Sequence, residues 1–394
     1  MSTNADRFDV WIRGRFVALN TELENLYFAG ADRANVEGIG DAQKQALLDE
    51  GQSLVADLRR EGNTDEGFDQ AFDVLGNLGL WMAALRRHEL TNPAREEKSP
   101  FHAASALGMH IGASLGVVPR FATSHLSTHN RAIAGKPKRF TSLADETLFL
   151  DSNTRGILAY MRAADALMRI VPLGISHPVA ATLFEDARRA LDDVAHWNDM
   201  LFRDLDVDRF FYSVRPYYKP YRVGRQEYRG ANAGDFSGIN EIDLLTGVCQ
   251  ANDPYYSQLL VDKLPFMRPD DQASLKDCMR RRNFLDQFLE ALSSNGEMGW
   301  FLPNARAFLA VLDAHGRAAA QHHDRLVTRF IEQPSAALDQ SELSQVTASG
   351  PPLPVLLKSL EILRDLRMAA PRNDIMTRHD EIAELRSAVA RLTP

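Results

Sequence analysis

Histidine is the residue type best placed to do chemistry in this chain. No Gly-rich phosphate loop, H-E-x-x-H pair or G-x-S-x-G elbow occurs, so the usual nucleotide, zinc-protease and serine-hydrolase devices are missing. Of the eleven histidines, His323 has the most informative surroundings. A helix over 304–332 places Leu312, Gly316, Ala319, His323, Leu326 and Phe330 at three- or four-residue steps on one apolar face. A flat macrocycle lying against a helix needs one imidazole projecting from it and little bulk alongside. Gly316 and Ala319 supply that gap, and Leu326 and Phe330 can pack against the ring edge. On geometry alone the same face also suits a hydrogen-bonded core histidine. His322 lies about 100° around the helix and His315 about 80° off, so neither shares the gap.

Three further segments carry chemical potential. RFFYSVRPYYKPY at 209–221 sets Arg215 in an aromatic-rich stretch just before Pro216, where Phe210, Phe211 and Tyr217 can line a cavity. A guanidinium pairs a planar carboxylate through two parallel hydrogen bonds, and aromatic walls strengthen the pair by excluding water. An interhelical salt bridge with a stacked ring accounts for the same residues. GANAGDFSG at 230–238 is a run of small residues that lets backbone approach a ligand. TASGPP at 347–352 opens onto a helix whose first amides can hold an anion, though capping explains it equally well.

The elements that must position these residues are helical. Apolar spacing predicts helices over 44–60, 66–87, 154–171, 179–203, 271–292, 304–332, 353–368 and 374–392. YRVGRQEY at 221–228 is the one short strand candidate, too polar for a central strand. The fold class is all-α, read as a small N-terminal helical lobe over 1–115 and a larger helical domain over 116–394. A net charge of −8, without any dense Lys/Arg run, argues against nucleic acid as a partner. The N-terminus lacks an apolar signal stretch and no segment reaches membrane-span length, so a cytoplasmic protein that does not enter a membrane is expected. Cys249 and Cys278 lack metal-site spacing and read as reduced core thiols. Residues 24–30, ENLYFAG, approach an engineered protease site but carry Ala29 where it needs glutamine, and are read as native.

In this order and spacing, the segments resemble the indoleamine 2,3-dioxygenase branch of the haem dioxygenases, and more closely the monodechloroaminopyrrolnitrin synthases that share its fold. The resemblance runs from about residue 70 to 365 and is one of motifs. HDRLVTRFI, 323–331, is similar to the proximal-histidine segment, which implies haem b with His323 on the iron and Ala319 and Leu326 beside it. FFYSVRPYY is similar to the family's Phe-Phe…Arg segment, implying substrate contact by Phe210 and Phe211 and a carboxylate clamp at Arg215, with Tyr217 as a ring wall. GANAGDFSGINEIDLLTG resembles the small-residue loop beside the haem, on which Ala233, Gly234, Phe236 and Ser237 would lie. VPRFATSHLSTHN, 118–130, and the helix around 149–160 look like the distal segments. Thr123, Leu126, Ser127, Ser152, Asn153 and Ile157 would then face substrate, with Ser349 and Gly350 in the lid.

Two departures qualify what the resemblance implies. Ala320 stands where family members often carry an arginine aimed at a haem propionate, so Arg317, Arg222 or Arg225 would have to replace it. The mobile Gly-Thr-Gly-Gly lid is here Thr347-Ala348-Ser349-Gly350 followed by two prolines, a stiffer sequence that bears on the substrate. The implied activity is oxygen insertion into, or oxidative rearrangement of, tryptophan or a related indole amino acid, with dioxygen or peroxide as oxidant. Hydroxylation or peroxidase-like oxidation of another amino acid, and a non-catalytic haem sensor, are the alternatives.

Overall fold

Burial shows why α4 (Phe68–Arg87) is a helix at the centre of its layer. Ala71, Phe72 and every residue from Val74 to Leu85 are buried, and a helix apolar on all sides must be surrounded by others. Around it pack α1 (Thr3–Trp11), α2 (Val17–Ala29), α3 (Asp41–Glu61) and α5 (His102–Leu115). The computed structural model describes residues 3–61, 67–295, 298–339, 342–343 and 352–392. Among these residues the only sheet is the hairpin of β1 (Tyr221–Val223) and β2 (Gln226–Tyr228), with Tyr221 opposite Tyr228, so the fold is all-α as expected.

The second core forms from α6 (Ala144–Ile170), α7 (Ala180–Asp204), α8 (Ser237–Thr246), α9 (Pro254–Lys263), α10 (Pro269–Cys278), α11 (Phe284–Asn295), α12 (Phe301–Gln321), α13 (Leu353–Met368) and α14 (His379–Arg391). Phe184, Phe284, Phe288 and Phe308 interlock there, with centroids 4.9–6.4 Å apart. The N-terminal core also takes in Phe121, Phe140, Tyr217 and Tyr221, residues beyond position 115. Cys249 and Cys278 are buried free thiols. No described helix is long and apolar enough to cross a membrane.

Several helices differ from the periodicity reading. The 154–171 helix begins earlier, at Ala144, because Glu146 accepts the amides of Phe140 (2.7 Å) and Thr141 (2.6 Å) and fixes the first turn. The 271–292 stretch is two helices, broken before Phe284, where Asn283 Oδ1 caps the Asp286 amide at 2.8 Å. The 304–332 helix is regular only to Gln321; His322–Glu332 is wound as a π-helix. A second π-turn, Phe210–Val214, follows α7 and leads into the 3₁₀ turn Arg215–Tyr218. Such over-wide windings are rare and concentrate at functional sites.

Two contacts hold the site-bearing segments in place. A Cβ on Gly79 would lie 2.2 Å from the Phe121 amide nitrogen, and one on Gly76 2.4 Å from the His125 ring, so glycine here lets 121–126 cross α4. On the far side, buried Asp243 of α8 accepts from His315 Nε2 (2.6 Å), Tyr256 Oη (2.7 Å) and Arg367 Nε and Nη2 (2.9 and 2.8 Å). This ties α8, α9, α12 and α13 together. Burial pushes the Asp243 carboxyl up, but the Arg367 charge and the bonds from His315 and Arg367 outweigh it and hold it below its ordinary 3.8. A carboxylate so held contributes stability above the unfolded value that is lost as pH falls below it. Asp243→Asn should therefore destabilise the protein by about 3 kcal/mol at neutral pH, because it strands a buried guanidinium. Denaturation midpoints at pH 7 and pH 3 check this, the variant losing less on acidification below the unfolded value of 3.8 than the parent.

Candidate active site

The two π-wound segments face each other across an apolar cavity of 300 Å³, with Phe210 and Phe330 in edge contact at 5.8 Å. Its wall is built from 123–127, α6 (Phe149, Leu150, Asn153), α7 (Asn198, Leu201), the 229–233 loop and Leu356 and Leu360 of α13. Residues five apart share a face in a π-helix, which is why Phe210 and Arg215 both reach the cavity. Arg215 is buried, lies 5.5 Å over the Phe211 ring, and burial holds its guanidinium down to about 10. Tyr218 also lines the cavity, and its hydroxyl is sealed from solvent without a hydrogen-bond partner. Phe121, Phe140 and Phe149 meet the Tyr218 ring edge-on, each at 6.0 Å, and so fix its orientation.

The winding of 322–332 also changes which imidazole lines the cavity. A π-helix advances about 80° per residue instead of 100°, so His322, Leu326, Val327, Phe330 and Ile331 line the wall. His323 is not on that lining; its side chain is 17% exposed, and its Nδ1 is 3.1 Å from Asp324 Oδ1 and 3.4 Å from Arg364 Nη1. Arg364 in turn bonds Asp324 at 2.8 Å. The slot beside Gly316 and Ala319 is not open to a ring, because α13 fills it: a Cβ on Gly316 would lie 3.3 Å from Arg367 O and Met368 Cα.

Thr123, Leu126, Ser127, Asn153, Phe210, Arg215, Ala233 and Leu326 therefore meet on one wall. Others go elsewhere. Tyr217 turns into the N-terminal core, stacked on Phe140 at 4.4 Å, and its neighbour Tyr218 takes the wall position. Phe211 is buried behind the wall against Ala34. Gly234 accepts from Lys263 Nζ at 3.1 Å, and Ser237 donates to Asp271 at 3.2 Å. Phe236 and Ile157 border a second cavity of 210 Å³, which shares Thr123 and Ser127 with the first. Ser152 is buried in α6 away from both cavities. Arg222 sits on the hairpin and bonds Pro93 O at 3.1 Å, Arg225 is exposed in its turn, and Arg317 pairs with Asp192 at 3.2 Å. Ser349 and Gly350 lie outside the described residues.

Sequence reasoning missed His322, Tyr218, Asn198 and Arg229. Arg229 reaches the cavity from the loop while gripping Asp235 through two bonds of 2.9 and 2.8 Å. The aromatic run held the signal for Tyr218, but one residue out of register. The matching family model is that of monodechloroaminopyrrolnitrin synthase PrnB, over residues 2–389. The chain belongs to that family. Membership makes this PrnB-family chain an enzyme, and the cavity brings together residues from several of the segments singled out in the sequence.

Haem fits the residue set on physical grounds. A porphyrin needs an imidazole and apolar walls, and the cavity supplies apolar walls with His322 on its lining and His323 next to it in the chain. In this PrnB-family chain His323 has Nδ1 tethered to a carboxylate and no hydrogen bond at Nε2, the arrangement that orients metal-ligating histidines. His322 is an exposed residue overall and makes no hydrogen bond among the described residues; desolvation of its ring at the cavity wall, with the nearby Arg367 and His323 charges, pushes its imidazole below the ordinary histidine range.

Proposed function

We propose that this chain is a haem-dependent oxygenase acting on tryptophan or a related indole amino acid, with His323 as the iron ligand. One observation supports the reading above the others: Thr123, Leu126, Ser127, Asn153, Phe210, Arg215, Ala233 and Leu326, residues from separate motifs, share the wall of one apolar cavity. Haem, when bound, supplies an iron at which dioxygen or peroxide is activated.

The protein's own groups bind and orient the substrate. Arg215, buried beside aromatic rings, takes the substrate carboxylate through its paired N–H groups. The Tyr218 hydroxyl donates a further hydrogen bond, and Phe149, Phe210 and Phe330 flank the indole and exclude water. Asp324 holds the proton of His323 on Nδ1 and leaves Nε2 as the donor atom. His322 on the cavity lining is the second imidazole within the segment, and single substitutions separate the two.

Absorption spectra of the ferric, ferrous and carbon monoxide forms, followed by titration with tryptophan and 7-chlorotryptophan, test the reading. A Soret band that shifts on adding either amino acid is expected. Protein that stays colourless when expressed with ample haem would sink it.

A further inference from the structure

The large core opens into a concave space of 540 Å³ that shares no lining residue with the aromatic cavity. Its size falls within the range of about 300–1,000 Å³ usual for small-molecule sites. It lies between the 249–252 segment after α8 and the 276–283 stretch leading from α10 to α11. Two features fix these walls against each other. Gly247, at φ +87°, lets Asn283 approach so closely that a Cβ there would lie 2.5 Å from Asn283 Oδ1. Buried Arg378 then joins both walls, donating to Gly247 O at 3.3 Å and to Asp286 Oδ1 at 2.6 Å.

The lining carries three cations, Lys276, Arg280 and Arg281, and one carboxylate, Asp286. Every carboxylate nearby is already committed. Asp286 takes Arg378 and also Asn283 Nδ2 at 2.7 Å, and Asp277 takes Arg281 at 2.6 Å. Arg282, just outside the lining, pairs with Glu290 at 2.5 Å. In the adjoining cavity of 140 Å³, Asp253 caps α9 by accepting the Tyr256 amide at 2.7 Å, and Glu381 takes Arg378 at 2.8 Å. Lys276 and Arg280 are what remains: neither makes an ion pair or a side-chain hydrogen bond among the described residues. They stand four residues apart, and the Met279 amide still bonds Leu275 O at 3.0 Å, so the winding of α10 continues far enough to set them one turn apart on the same side. On the other wall the side-chain amides of Gln250 and Asn252 are likewise without partners. Buried Leu244, Cys249 and Cys278 supply apolar surface to the same space.

We propose that this space binds a small organic phosphomonoester, its phosphate held by Lys276 and Arg280 and its organic body by the wall carrying Gln250 and Asn252. A phosphomonoester carries about −1.5 to −2 charge at pH 7 and three strong acceptor oxygens, which answers two adjacent cations where a single carboxylate would answer one. A guanidinium presents paired donors to such a group and an ammonium a point charge. The side-chain amides can donate to and accept from a polar ring or sugar, and the apolar surface beside them covers its face. Inorganic phosphate would use the two cations alone and leave the rest of the space to water.

Adenosine 5′-monophosphate and adenosine are the probes, titrated into the full chain at low ionic strength by calorimetry. The monophosphate should bind and adenosine should bind at least tenfold more weakly. Lys276→Gln and Arg280→Gln should each weaken the monophosphate by about 10- to 100-fold, the cost of losing a hydrogen bond to a charged group. Lys98→Gln, an exposed lysine away from the site, should leave it unchanged. A crystal soaked with the monophosphate should place its phosphorus beside Lys276 Nζ and the Arg280 guanidinium. No binding at about 10 mM, ten times a millimolar dissociation constant, overturns the proposal. So do equal affinities for the two probes, an equal loss in Lys98→Gln, or a soaked crystal with the phosphate elsewhere. The soak and the comparison of probes need no variant, so the test survives a substituted protein that fails to fold.

Discussion

His323→Ala is expected to yield folded protein that no longer retains haem, with the Soret band absent after desalting and no turnover of any indole amino acid. The basis is the tether between His323 Nδ1 and Asp324, which leaves Nε2 without a partner. Asp324→Asn should weaken haem affinity by about 10- to 100-fold, the usual cost of losing an outer-shell carboxylate. His322→Ala is the decisive companion, because His322 is the imidazole on the cavity lining. It should keep the haem spectrum while altering the substrate-induced shift. If instead His322→Ala loses the pigment and His323→Ala keeps it, the iron ligand is His322. Circular dichroism on both proteins separates loss of cofactor from loss of fold.

Removing the Arg215 guanidinium should act on substrate and leave the cofactor alone. A hydrogen bond to a charged group contributes about 1.5–3 kcal/mol, so Arg215→Ala should raise KM for tryptophan by about 10- to 100-fold with the resting spectrum unchanged. Arg215→Lys should recover only part of this, since an ammonium cannot reproduce the paired bonds of a guanidinium. Indole, which has no carboxylate, provides the internal control: its spectral dissociation constant should be equal in parent and variant. Weakened indole binding would mean that the substitution had disturbed the wall, and an unchanged tryptophan KM would remove the clamp.

What the sequence made legible followed from regular periodicity. The all-helical fold, the central position of α4, and the convergence of Phe210, Arg215, Leu126 and Leu326 rest on three- and four-residue spacings and on motif order. Failures cluster where the backbone leaves that period. A wheel of 3.6 residues per turn puts His323 with Leu326 and Phe330; the π-wound segment instead sets His322 among Leu326, Val327 and Ile331. The same cause displaced Phe211, and the 3₁₀ turn after it exchanged Tyr217 for Tyr218. The open slot at Gly316 failed for another reason. Small residues on a helix face signal close approach of something, and here that is the end of α13, which a single sequence cannot distinguish from a ring. Arg222 was placed by chemistry alone, while the hairpin geometry turns it toward Pro93.

Adjacent histidines at the start of an over-wide helix have a geometric corollary. The eleven residues from His322 to Glu332 make fewer turns than the same stretch would if coiled tightly, so one rotational slip of the ribbon is stored along its length. Recoiling it to ordinary pitch would swing the first imidazole off the wall and bring the second round in its place. Which of two neighbouring nitrogen donors meets the interior is then decided by backbone pitch, without a single change of sequence.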